Sequence, residues 1–161
     1  MAVSDAAPPS NTIAGWREWV SLPGLGVPWV KAKLDTGARS SAIHAFDIHE
    51  FDRDGEAWVR YSIHPWQRSG VDAVDCESRV VAQRHVRSSS GHTQERYVVN
   101  LDVSLVGRVV SAEVTLSRRD EMGFRMLVGR EALRGSFLVD SGRSYLGGRP
   151  ERAVRRQNRG R

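Results

Sequence analysis

The sequence predicts a mainly β domain on three observations: short apolar runs that alternate with polar residues, turn residues at their ends, and a single run of helix formers. Trp16, Trp19, Val20 and Leu22 precede Pro23-Gly24-Leu25-Gly26, after which Trp29-Val30-Lys31-Ala32-Lys33-Leu34 alternates, so this stretch reads as a hairpin ending at Asp35. Ala42-Ile43-His44-Ala45-Phe46 is the next run, which leaves Thr36 to Ser40 as a tight loop between strands. Asp47 to Ile63 reads as a second hairpin, turning at Asp52-Arg53-Asp54-Gly55. A third has a polar tip, Ser88 to Thr93, between Arg84-His85-Val86-Arg87 and Arg96-Tyr97-Val98-Val99. Leu101 to Val106 and Val109 to Leu116 carry the alternation of a half-buried antiparallel sheet and meet at Gly107-Arg108. After a strand at Phe124 to Val128, Arg130-Glu131-Ala132-Leu133-Arg134 is built of helix formers and closed by Gly135, which predicts one short helix.

A chain of 161 residues with 40% hydrophobic content supports one domain with a real core. Its formal charge of +5 suggests an anion binder until the charge is located. Residues 149–161 hold six Arg against Glu151 alone, so residues 1–148 sum to zero. The expected organisation is a flexible segment over 1–12, a domain over 13–148 and a disordered Arg-rich tail over 149–161, since the tail has too little apolar surface to offset its ordering entropy. Contact of that tail with nucleic acid is conceivable but is not expected as the primary function. No apolar run reaches the length of a signal peptide or membrane span, and Cys76 is the only cysteine, so a cytoplasmic protein without membrane contact and without disulfides is expected.

Asp35 sits on a Thr-Gly loop, where backbone N–H and hydroxyl donors hold a carboxylate rigidly. One such group does not hydrolyse a peptide without a metal. Two held close together share a proton and supply base and acid at once, so a partner carboxylate is required. Asp-Thr-Gly alone is weak evidence, with an exposed turn as the ordinary reading; 92 residues after Gly37, however, Met126-Leu127-Val128 leads into Gly129-Arg130 and the short helix.

Strand, Asp-Thr-Gly-Ala, hairpin, apolar-apolar-Gly-Arg, helix and final strand is the order of retropepsin-type proteases, which residues 27–146 resemble throughout. More narrowly, the chain resembles a bacterial family labelled ATP-dependent zinc proteases. The matching residues are Gly15-Trp16-Arg17-Glu18-Trp19 with Leu22-Pro23, Lys31 to Ser40, His44-Ala45, Ser90-Gly91-His92 with Arg96-Tyr97-Val98, and Met126 to Arg130. The resemblance implies a closed β barrel with a flap hairpin over 84–98, an insertion over 47–80, and a homodimer. It implies Asp35, Thr36 and Gly37 of each protomer as catalytic residues. Ala38, Arg39, Ser90, Gly91, His92 and Arg130 are the expected substrate contacts. The reaction would be aspartic endopeptidase hydrolysis by a water between paired Asp35 carboxylates. Members of this family are associated with an ATP-grasp ligase that adds glutamates to protein tails, which implies an acidic or glutamylated ribosomal-protein substrate.

Arg39 departs from the retroviral pattern, which has Asp there to brace the Arg after the late Gly. Arg130 then needs another carboxylate, Glu131 or Asp120, while Arg39 is free for substrate carboxylates or for a local acid such as Asp47. No metal and no cofactor are expected: His49-Glu50 is followed by Arg53 where a His-Glu-x-x-His motif has its second His, and no phosphate-binding Gly loop occurs. His44 reads as a core histidine. Phe137-Leu138-Val139-Asp140-Ser141-Gly142 repeats the pattern of acid on a small-residue turn, but too little chain follows for a second lobe, so Asp140 is expected to be structural. The rival reading is a non-catalytic β-barrel module that contacts RNA or ribosomal protein through the tail.

Overall fold

The computed structural model describes residues 11–66, 72–87, 91, 93–118 and 123–157. Ten strands follow in order: β1 (Thr12–Leu22), β2 (Val27–Asp35), β3 (Ser41–His44), β4 (Phe46–Arg53), β5 (Glu56–Ile63), β6 (Val74–Arg87), β7 (Thr93–Leu105), β8 (Arg108–Ser117), β9 (Met126–Gly129) and β10 (Phe137–Ser144). Helix α1 (Arg130–Leu133) lies between β9 and β10, and α2 (Arg152–Gln157) follows them. The hairpins expected from the sequence are present, with two differences. The strands predicted separately on either side of Asn100 are one continuous β7. The Arg-rich stretch expected to lack structure carries α2, in which Arg155 donates to the Pro150 carbonyl (3.2 Å); residues 158–161 lie outside the described part, as do 1–10 of the N-terminal segment.

Six strands close into a barrel in the order β1-β2-β9-β3-β8-β7, the last joining the first where Ser21 pairs with Ser104. Alternation does the packing: Val30, Ala32 and Leu34 of β2 face inward, with Val99, Leu101, Val103 and Leu105 of β7 and Val114 and Leu116 of β8. β10 pairs in parallel outside β1, and β6-β5-β4 extend the sheet from β7 as the expected insertion. The insertion has its own buried contact, where Tyr61 and Ser78 share a hydrogen bond of 2.8 Å. Burial there pushes the Cys76 thiol up to about 11.

The order β2-β9-β3 positions the site. β9 runs parallel to β2 (Leu34↔Val128, Asp35↔Gly129) and antiparallel to β3 (Ile43↔Met126). β2 and β3 are consecutive in the chain yet separated in the sheet, so the loop over residues 36–40 must cross the end of β9. No helix among the described residues is long and apolar enough to cross a membrane.

Glu18 ties the end of the fold to its beginning. It is fully buried on β1 and accepts three backbone N–H bonds, from Gly15 (2.7 Å), Leu146 (2.9 Å) and Gly147 (2.9 Å). A buried carboxylate persists only when its oxygens are satisfied in this way.

Candidate active site

Asp35 ends β2 half-buried, and the Gly37 N–H donates to its Oδ1 at 2.9 Å. The Ala38 N–H closes the turn on the Asp35 carbonyl at 3.2 Å. A side chain on Gly37 would crowd the same Oδ1, with Cβ at 3.2 Å, so the loop glycine clears space for the carboxylate.

Where the loop passes over β9, backbone lies on backbone. The Arg130 N–H donates to the Ala38 carbonyl (2.8 Å), the Glu131 N–H to the Arg39 carbonyl (3.1 Å), and the Gly129 N–H to Ser41 Oγ (3.0 Å). Gly129 has an ordinary extended backbone, with φ of −87°; it must be glycine because a Cβ would run into the Ser40 carbonyl and lie 2.9 Å from the Ala38 oxygen. The spacing between the two motifs thus has a mechanical meaning: the second is the floor on which the first rests.

Neither arginine has the partner expected for it: Arg39 takes the acid expected for Arg130, and Arg130 takes a backbone carbonyl. Arg130 Nη1 donates to the Gly37 carbonyl at 3.1 Å, and Glu131 pairs with Arg39, at 3.1 Å, not with Arg130 or Asp47. Successive residues on a helix point about 100° apart, so Arg130 turns back under the loop while Glu131 reaches across to Arg39. The Arg39 side chain is 78% exposed, which leaves most of its guanidinium to solvent or a ligand. Asp120 lies outside the described residues.

A cleft of about 290 Å³ opens beside Asp35, walled by Ala38, Ser40, Thr115 and Leu127, with Arg84 and Arg96 over it. That volume is at the low end for a complete ligand site, roughly 300–1,000 Å³. Arg84 and Arg96 are a directly paired couple on the β6–β7 hairpin, and Arg84 reaches Ser40 Oγ (3.4 Å) and Glu113 (3.5 Å). The sequence suggested their charge but gave no reason to choose them above other arginines; the hairpin register is what directs them at the loop. Tyr97 on the same hairpin donates to Glu50 of β4 at 3.0 Å, and burial together with that carboxylate raises its phenol.

Of the other expected site residues, Thr36 is exposed on the loop. Gly91 is exposed at the hairpin tip with φ of +82°. Ser90 and His92 lie outside the described residues. Ser41, whose hydroxyl fixes Gly129, had no signal in the sequence beyond its place in a polar loop. Among the histidines, His44 is buried and stacks near Phe46 (6.3 Å between centroids), His64 bonds Asp72 (3.1 Å), and the His49-Glu50 pair stands on strand β4.

Asp140 makes the same local hydrogen bond as Asp35, but within strand β10 and not on a turn. The Gly142 N–H donates to its Oδ1 at 2.9 Å, but among the described residues β10 pairs with β1 alone, at the edge of the sheet.

A closed barrel in which a strand-end Asp-Thr-Gly loop rests on an apolar-apolar-Gly-Arg strand is a retropepsin-like domain. Within that class the chain belongs to the RimB-like family, whose model, described as retropepsin-like aspartic endopeptidase RimB, matches residues 13–150. Two similar proteins are named probable alpha-L-glutamate ligase. That of Shewanella pealeana is 47% identical over 133 residues, 83% of this chain and 29% of the relative. That of Desulfotalea psychrophila is 44% identical over 131 residues, 81% and 28%. The chain therefore spans less than a third of the length of these relatives. The crystal structure of Lpg0085 from Legionella pneumophila, described as a DUF785 protein with unknown function, superposes with a TM-score of 0.71 at 27% identity, covering 86% of this chain and 99% of that one.

Proposed function

We propose that this chain is one half of a homodimeric aspartic endopeptidase acting on acidic, glutamate-rich protein tails. The observation that carries the reading is Asp35, held at one oxygen by Gly37 and braced from below by Gly129 and Arg130. Among the described residues Asp35 is the one carboxylate braced in this way, and its cleft is at the small end of the range for a ligand site, as half a site would be.

In the dimer the Asp35 carboxylates of two protomers face each other and hold a water between them. One carboxylate takes a proton from that water as it attacks the peptide carbonyl; the other gives a proton to the carbonyl oxygen and, as the tetrahedral intermediate collapses, the amine leaves protonated. Thr36 of each loop links the pair, and the β6–β7 hairpin acts as the flap, its Arg84 already in reach of Ser40. Arg39, Arg84 and Arg96 attract a carboxylate-rich substrate; Arg39 gives up little in exchanging Glu131 for a substrate carboxylate, because an exposed ion pair contributes only about 0–1 kcal/mol. The ligase name of the relatives supports this substrate class, since a matched segment within a glutamate-adding protein would meet glutamyl products.

Cleavage of a peptide with a glutamate tail tests the proposal, with solution mass measured alongside. The expected result is a dimer whose cleavage is abolished in Asp35→Asn; unchanged cleavage in that variant, or activity from a strict monomer, sinks the mechanism.

A further inference from the structure

The outer face of the β1–β2 hairpin carries a second constellation, independent of the Asp35 chemistry. Arg17, Lys31 and Arg149 converge on the ring of Tyr145, at 4.9, 5.6 and 4.7 Å from its centroid. Arg17 also lies on Trp16 (4.7 Å), and Lys31 is 5.8 Å from both Trp19 and Phe124. Among the described residues no Asp or Glu pairs with any of the three cations. The nearby Glu18 carboxylate is buried and bonded to three backbone N–H groups.

Three positive charges around one ring repel one another, so something else must hold them together. Tyr145 is fixed in the left-handed region, φ +57°, by its own N–H on the Arg17 carbonyl (3.0 Å) and by the next two N–H groups on Glu18. Such a conformation costs on the order of 1–3 kcal/mol in a residue with a side chain and persists only where the surroundings impose it. Arg17 Nε is bonded to Ser144 Oγ at 3.0 Å, which holds the guanidinium carbon 4.7 Å from the Trp16 ring centroid and 4.9 Å from that of Tyr145. Trp16 meets Phe124 edge-on (6.0 Å between centroids) and Trp19 packs on Trp29 (6.4 Å) and Trp66 (5.3 Å), with part of each ring left exposed.

We infer that this face binds single-stranded nucleic acid. Phosphates would sit on Arg17, Lys31 and Arg149, and unstacked bases on the partly exposed rings. Charge complementarity calls for a polyanion, and the rings select among polyanions: a carboxylate chain has no flat faces to stack, whereas every base does. The site also gives the Arg-rich segment a place in the molecule. Arg149 opens that segment, and α2 continues the positive charge with Arg152, Arg155 and Arg156.

Fluorescence anisotropy of a short labelled single-stranded RNA of mixed sequence, titrated with the full chain across a salt series, tests the inference without reading any cleavage. The pair Arg17→Gln with Lys31→Gln is expected to weaken binding at least tenfold and to flatten the log–log salt slope by about 1.4, two phosphate contacts at roughly 0.7 each. Tyr145→Ala is expected to weaken it at least fivefold and Tyr145→Phe to restore it, with thermal melts confirming that both variants fold. Three outcomes overturn the inference: no binding by the wild-type chain, full binding by the Arg17/Lys31 variant with loss only when Arg152, Arg155 and Arg156 are made Gln, or equal displacement by a polyglutamate peptide of matched length. The last would assign the face to acidic protein.

Discussion

Two segments in this molecule share a sequence pattern and one hydrogen bond, Asp35-Thr36-Gly37 and Asp140-Ser141-Gly142, and each ties Asp Oδ1 to the glycine N–H at 2.9 Å, but the first is a turn at a strand end and the second an irregular stretch within β10. They differ in what lies beneath. The Asp35 turn crosses β9 and is bonded to it through Ala38, Arg39, Ser41 and the Arg130 side chain; the Asp140 segment is part of β10, the edge strand of the described sheet. The acid-small-Gly pattern therefore specifies a hydrogen bond, and the distant Gly129-Arg130 specifies a site. The sharpest way to break this comparison is to neutralise each acid. Asp35→Asn is expected to lower kcat/KM for a glutamate-tailed peptide by about 10³-fold or more, the scale of lost acid-base catalysis, while Asp140→Asn stays within about twofold. Comparable losses in both would erase the distinction.

The next largest effect concerns what secures each half. β9 secures the Asp35 side; on the other side Glu18 holds the chain just beyond β10 through Leu146 and Gly147. Glu18→Gln keeps the shape but turns an amide NH₂ toward a backbone N–H, leaving at least one buried donor unmatched and removing the charge from the other bonds. The expected cost is about 2–4 kcal/mol, seen as a fall in Tm of about 5–15 °C. A shift below a degree would mean that water replaces the carboxylate.

Gly129→Ala and Gly142→Ala then compare the floor beneath the Asp35 turn with the glycine that bonds Asp140. At 129 the added methyl meets backbone carbonyls that cannot rotate away, for an expected loss of about 2–3 kcal/mol, and the Asp35 loop should be lifted with it. At 142 the same methyl lies 3.5 Å from Asp140 Oδ1, ordinary contact, and about 0.5 kcal/mol or less is expected. Denaturant midpoints for the two variants measure the difference.

These contrasts also mark what was legible in the sequence. Local signals carried far: the first hairpin, the loop over 36–40, the turn at Asp54-Gly55 and helix α1 were all readable, because turn residues and alternation act within a few positions. The insertion of β9 between β2 and β3 was not readable from periodicity, since a parallel pairing of residues 94 apart leaves no mark on either strand alone, and the family resemblance gave only the order of the two motifs along the chain. Glu18 was invisible for a related reason. It looks like an ordinary surface acid in Arg17-Glu18-Trp19, and only the return of residues 146 and 147 makes its burial tolerable. The partners of Arg39 and Arg130 were misassigned because sequence lists the available carboxylates without saying which way a short helix turns them.

The smallest expected effect tests whether an exposed charge can matter to function while contributing little to the fold. Arg39 pairs with Glu131 across the crossing, yet at 78% exposure the pair is screened by water, so Arg39→Ala should cost about 0.5 kcal/mol or less in stability. Arg130 makes a shorter-range contribution, since its Nη1 supports the Gly37 carbonyl beneath the Asp35 turn. If Arg39 receives substrate carboxylates, its removal raises KM for a glutamate-rich peptide about three- to tenfold with kcat nearly unchanged, the signature of lost uniform binding, and leaves a neutral peptide unaffected. Arg130→Ala should instead lower kcat for both peptides, because it disturbs the turn and not the ligand. A matching KM effect on the neutral peptide would show that Arg39 also acts through the loop, and the division between brace and reader would fall.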